Sequence, residues 1–98
     1  MDKKRLLQLF KHYHEQDKLS FTNVSNKLSD NKHLHAFLLL QSLVPSKRNI
    51  IVKADYDTVY LDFVAEDLLA VITDAQIEEL AACGVNYDNT NDFLHIYV

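Results

Sequence analysis

Five histidines, one cysteine and a group of aspartates are the residues of this 98-residue chain that could do chemistry beyond packing. Four of the histidines form two H-x-H pairs, His12/His14 and His33/His35. On a helix, positions i and i+2 point about 200° apart, so neither pair can chelate a metal from one face. Helical zinc sites use i, i+3 or i, i+4 spacing, and no two histidines here have it. A metal would need one member of each pair, brought together across helices. Surface or half-buried histidines are therefore expected, with no metal and no cofactor. Asp55, Asp57 and Asp62 would suit Mg²⁺ or acid–base work if they shared a strand face. Aspartates bonding their own backbone in a tight turn explain Asp55 and Asp57 without chemistry. Cys83 stands one residue before Gly84. At the end of a helix the dipole raises a thiol pKa, the opposite of what a nucleophile needs. Cys83 is expected to pack as a small apolar side chain.

Composition narrows the chemistry further. The single glycine excludes phosphate-cradling loops, dinucleotide turns and nucleophile elbows, each of which needs several. The single cysteine excludes an internal disulfide and any multi-cysteine zinc site. No catalytic residue emerges, and a non-enzymatic protein is expected. The apolar stretch Leu6–Phe10 is too short for a signal-peptide core, and the apolar run Ala36–Leu40 is far too short to span a membrane. With one cysteine, a cytoplasmic location is expected.

These side chains are positioned by elements that the spacing makes legible. Leu6, Leu9, Phe10 and Tyr13 follow the i, i+3, i+4, i+7 rule of an amphipathic helix. A short second helix is expected over residues 22–28, because Phe21, Val24 and Leu28 share a face. Asp30 reads as the N-cap of a third helix that runs to about Val44, where Pro45 stops it. Its middle, residues 36–40, is apolar nearly all round and predicts a central helix.

The period then changes to two, and residues 49–64 read as a β-hairpin turning at residues 55–58. A helical turn follows over residues 65–71. Thr73 and Gln76 form a capping box, Ile72 and Ile77 a hydrophobic staple, and Gly84 a left-handed helix end. Residues 85–87 and 93–98 are two further strands joined by a polar turn. The expected fold is α+β in a single domain. A helical N-terminal half (residues 1–45) precedes a small antiparallel ββαββ sheet with one packed helix (residues 49–98).

Charge divides along the same line. Residues 1–48 hold nine Lys/Arg against four Asp/Glu (+5), and residues 49–98 hold one Lys against ten Asp/Glu (−9), for a net charge of −4. Either the halves attract each other across the fold, or the asymmetry serves a charged partner. The last strand offers a surface for such a partner. If Leu94, Ile96 and Val98 face the core, Phe93, His95 and Tyr97 share the other face beside Tyr60, unless the N-terminal helices cover it. Aromatic residues anchor protein interfaces. A protein-binding surface is therefore assigned to Asp55, Tyr56, Asp57, Tyr60, Asp62, Glu78, Glu79, Phe93, His95 and Tyr97.

Three helices followed by a hairpin also have the order of a winged helix. In that alternative, a DNA-binding regulator, Lys32, His33, His35, Lys47 and Arg48 would meet nucleic acid. The apolar centre of the third helix and the aspartates at the wing tip count against it.

Ala54-Asp55-Tyr56-Asp57-Thr58-Val59-Tyr60-Leu61 and Ala82-Cys83-Gly84-Val85-Asn86-Tyr87-Asp88, with the apolar ending from Phe93 to Val98, resemble a set of small uncharacterised proteins of tailed bacteriophages. The resemblance covers residues 50–98. It implies a phage or prophage origin and transfers no functional residue. Small phage accessory proteins often act by binding host proteins. The resemblance therefore implies a non-enzymatic accessory protein of the host cytoplasm; the residues themselves leave a homodimer open. Its partner would be a host protein, such as a CRISPR effector or another antiviral defence component that it inhibits.

Overall fold

The structure, a computed structural model, describes residues 1–16, 19–25, 27–45, 51–61, 65–88, 90 and 93–97. Helix α1 spans Lys3–His14 and buries Leu6, Leu9 and Phe10, three of the four residues of its apolar stripe; Tyr13 is half-buried. Its N-cap is Asp2, whose carboxylate accepts the Arg5 amide N–H at 2.7 Å. Lys11, His12 and His14 sit in its last turn, where positive charge complements the helix dipole.

The described residues of 22–28 form no α-helix. The chain makes one 3₁₀ turn at Phe21–Asn23, capped by Ser20, and becomes extended at Val24. Local bonding explains the difference. The Ser20 hydroxyl accepts the Thr22 amide and bonds the Thr22 hydroxyl, and such side chains compete with helix formation. Leu28, expected on the buried face, is exposed.

Helix α2 spans Lys32–Leu43. Its N-cap is Asn31 rather than Asp30. Asn31 Oδ1 accepts the amides of both His33 and Leu34 at 3.0 and 3.1 Å. The helix ends at Val44, before Pro45. Ala36, Leu39 and Leu40 are buried, but Leu34 and Leu38 are exposed, so this apolar helix packs with one side only.

Strands β1 (Ile51–Ala54) and β2 (Thr58–Leu61) pair antiparallel, with a register shift between Ile51 and Lys53. Residues 49, 50 and 62–64 of the expected hairpin lie outside the described residues. Two helices, not one, separate this hairpin from the next. Helix α3 (Ala65–Leu69) buries Leu68 and Leu69, and helix α4 (Asp74–Ala82) follows. The order is therefore ββααββ rather than ββαββ, because the turn at residues 65–71 carries two core leucines and folds as a helix in its own right.

Both halves of the capping box are made. The Gln76 amide donates to Thr73 Oγ1 and the Thr73 amide to Gln76 Oε1. The staple residues Ile72 and Ile77 are both buried. Gly84 has φ 91°, the left-handed conformation that ends α4. Strands β3 (Val85–Asp88) and β4 (Phe93–Tyr97) complete an antiparallel sheet in the order β1-β2-β4-β3. The turn residues Asn89, Asn91 and Asp92, with Val98, lie outside the described residues.

Alternation along the strands sets the two faces. Leu61, Val85, Tyr87, Leu94 and Ile96 join the core with α1 and α4. Tyr60, Asn86, His95 and Tyr97 belong to the other face, with Tyr60 and Asn86 both in register with His95.

Candidate protein-binding face and the α4 cleft

The sheet face turned away from the core carries a short aromatic ladder. The His95 ring lies 6.1 Å from Tyr60 on the neighbouring strand and 5.2 Å, edge-on, from Tyr97 two residues along its own. Tyr97 is 58% exposed, Phe93 is exposed at the far end of β4, and Tyr60 and His95 are half-buried. The N-terminal helices therefore leave much of this face open. His95 Nδ1 is buried and has no hydrogen-bond partner among the described residues. Burial pulls the His95 pKa below its usual 6.5, the His14 charge adds to that, and Asp88 opposes it.

The ladder runs towards the hairpin turn, because Tyr97 is in register with Thr58, the first residue of β2. The turn is closed by the Asp55 amide donating to the Thr58 carbonyl at 2.8 Å, and by the Thr58 hydroxyl donating to Asp57 Oδ1 at 3.0 Å. These bonds hold Tyr56 fully exposed between two exposed aspartates. Asp57 does bond within the turn, but to the Thr58 side-chain hydroxyl rather than to the backbone that its sequence context implies. Asp62 lies outside the described residues.

Glu78 and Glu79 do not join that surface. They sit on α4, which packs on the core side of the sheet, and line a cleft of about 420 Å³ beside the 3₁₀ turn. The ten residues expected to form one surface thus divide, as far as they are described, between the sheet face with its hairpin tip and the α4 cleft.

The histidine pairs split as helical geometry requires. His14 Nε2 donates to the Val85 carbonyl at 2.8 Å, tying α1 to the edge strand β3. His35 is 1% exposed, against the expectation that it reads nucleic acid. Its Nδ1 accepts the Leu28 amide at 3.0 Å and its Nε2 bonds Glu79 Oε2 at 3.1 Å. The reason is position: with Asn31 as N-cap, His35 falls on the same side of α2 as the buried Ala36 and Leu39. His33 is half-buried, with Nε2 enclosed and unpartnered among the described residues. Lys32 is exposed, while Lys47 and Arg48 lie outside the described residues. The described members of the nucleic-acid set therefore share no common exposed surface.

Among the described residues no group of three His, Cys, Asp or Glu side chains is placed to hold a metal, and no helix is long and apolar enough to cross a membrane. Cys83 is buried, and burial, more than the Glu79 charge, raises its pKa to about 11. The protonated thiol fits the packed role expected for it, although desolvation rather than the helix end is the main cause.

One feature was invisible in the sequence. Tyr13 donates to Asp74 Oδ1 at 2.7 Å across sixty-one residues, and Arg5 approaches Asp74 Oδ2 at 3.8 Å. The Asp74 hydrogen bond, with burial and nearby carboxylates, raises the Tyr13 pKa to about 12. No protein-family model matches the chain, and neither a curated protein nor a solved structure shows significant similarity to it.

Proposed function

We propose that the chain is a non-enzymatic binding protein that engages a protein partner through the open face of its sheet. The observation that carries this reading is the Tyr60–His95–Tyr97 ladder, which ends beside an exposed tyrosine on a hydrogen-bonded turn. Tyrosines supply large contact area for little ordering entropy, and they dominate the centres of protein interfaces. Exposed aspartates at the turn would complement a basic rim on the partner. Together with the resemblance to small phage proteins, the reading becomes specific. The partner is a host protein in the cytoplasm, and binding inhibits an antiviral defence component such as a CRISPR effector.

The test is a binding measurement of the purified chain against a panel of purified CRISPR effectors, with duplex DNA as a control. The expected result is effector binding that falls at least ~10-fold in Tyr97→Ala, since interface tyrosines contribute about 2 kcal/mol or more when central. Binding to duplex DNA with a steep salt dependence, and to no effector, would favour the regulator instead.

A further inference from the structure

The α4 cleft has the parts of a site in its own right. Its floor is one stripe of α4: Ala75, Glu78, Glu79 and Ala82, spaced i, i+3, i+4, i+7. This stripe is turned away from the side of α4 that buries Ile77, Leu80 and Ala81. Two alanines leave the cleft open, and the two glutamates give it charge. The facing wall, next to the 3₁₀ turn, adds the apolar side chains Leu19 and Val24 and the polar side chains Ser20, Asn23 and Ser25. No basic residue lines the cleft among the described residues.

The second glutamate is held in place from beneath. Because His35 Nδ1 accepts the Leu28 amide, its proton is on Nε2 and the ring is neutral. The Nε2–H then donates to Glu79 Oε2. A neutral donor orients the carboxylate without cancelling its charge. The same imidazole lies 5.5 Å from the Phe21 ring, so one buried side chain ties both walls together.

A cleft with apolar side chains on both walls and two carboxylates on its floor complements a side chain with an apolar stem and a cationic head. Arginine fits better than lysine, because its planar fork of five donors can serve two carboxylates and a hydroxyl at once. We infer that the α4 cleft binds an arginine side chain presented by a polypeptide, with its stem between Leu19, Val24 and the α4 alanines and its guanidinium at Glu78 and Glu79. This site is distinct from the aromatic sheet face and does not depend on that face binding anything.

The experiment is an NMR titration of the full chain with three probes: a blocked Ala-Ala-Arg-Ala-Ala peptide, the same peptide with norleucine for arginine, and N-acetyl-arginine amide. The expected result is saturable amide shifts confined to residues 19–25 and 75–82 with the arginine peptide. The norleucine peptide should cause no shifts, and N-acetyl-arginine amide should bind more weakly. Glu78→Gln with Glu79→Gln should weaken the peptide at least ~10-fold, a loss of about 1.4 kcal/mol. Glutamine at 79 keeps a carbonyl for His35, so an unchanged spectrum elsewhere separates lost charge from lost fold. Asp55→Asn should leave binding as it is. Shifts spread equally over the hairpin aspartates, or binding that survives the double substitution, would overturn the proposal. Equal affinity for N-acetyl-arginine amide would assign the cleft to a free cation and overturn it as well.

Discussion

His95 shows how one side chain can connect stability to pH. Its ring is wedged between two tyrosines with Nδ1 enclosed, and burial lowers its pKa below 6.5 in the folded protein. As pH falls below about 6.5, the unfolded chain binds a proton at this position that the folded chain resists, so protonation favours unfolding. The contribution is fully present above that pH and is lost through the mildly acidic range. We expect the thermal midpoint to fall between pH 7.5 and 5.5, and to fall less in His95→Phe, which keeps an aromatic ring but cannot titrate. Thermal scans of both proteins across that range check it. Parallel profiles would mean that other groups carry the acid sensitivity. His35 behaves differently at the same scale: both its ring nitrogens are engaged, and it serves as a linchpin between α2, α4 and the segment around Leu28.

At the scale of elements, α4 is the part whose local and tertiary signals agree most fully. Its capping box satisfies two amides, its staple residues are both in the core, and its left-handed end is the chain's one glycine. Thr73→Ala removes the side chain that accepts the Gln76 amide. We expect it to cost about 0.5–2 kcal/mol of stability, read as a lower denaturation midpoint at unchanged m-value. Because α4 packs on both α1 and β3, the loss should appear in the global transition rather than as local fraying. The absent second helix is the counter-example. Phe21, Val24 and Leu28 have helical spacing, but a serine cap and neighbouring hydroxyls offer the backbone an easier set of bonds.

For the whole molecule, the charge division is partly neutralised inside the fold. Lys3 pairs with Glu66 at 3.1 Å and Arg5 approaches Asp74 at 3.8 Å, so α1 carries cations to the acidic half. Both pairs are exposed and contribute little to stability, about 0–1 kcal/mol each. Their larger effect is on the field, since they draw positive charge toward α3 and α4 and leave the hairpin tip acidic. Asp55→Lys with Asp57→Lys should therefore slow association with a basic protein partner about 10-fold at low salt and reduce its salt dependence. Both side chains are exposed, so the domain should stay folded, with the midpoint lowered only by the loss of the Thr58 hydroxyl bond to Asp57. Stopped-flow association rates at two ionic strengths provide the measurement, and Lys4→Glu with Lys11→Glu serves as the comparison.

Within α1, α4 and β4, the sequence was enough. Spacing decides which side of α1 is buried, alternation decides which side of β4 is buried, and Thr73, Gln76 and Gly84 mark the limits of α4, because each of these signals depends on neighbours a few residues apart. The α+β class and the antiparallel hairpins follow from the same local periods. Other outcomes depend on what meets what across the chain. No local signal shows that β4 joins β2, which is what aligns Tyr60, His95 and Tyr97 into a ladder. None separates Glu78 and Glu79 from the hairpin aspartates, because that depends on which side of the sheet α4 covers. His35 has a helical position that a recognition residue could also have, and only the arrival of Glu79 and the Leu28 amide makes it a buried support. Contacts between residues distant in the sequence are chosen by the packing of the whole core, and for that reason the sites, unlike the elements, became visible only in the tertiary structure.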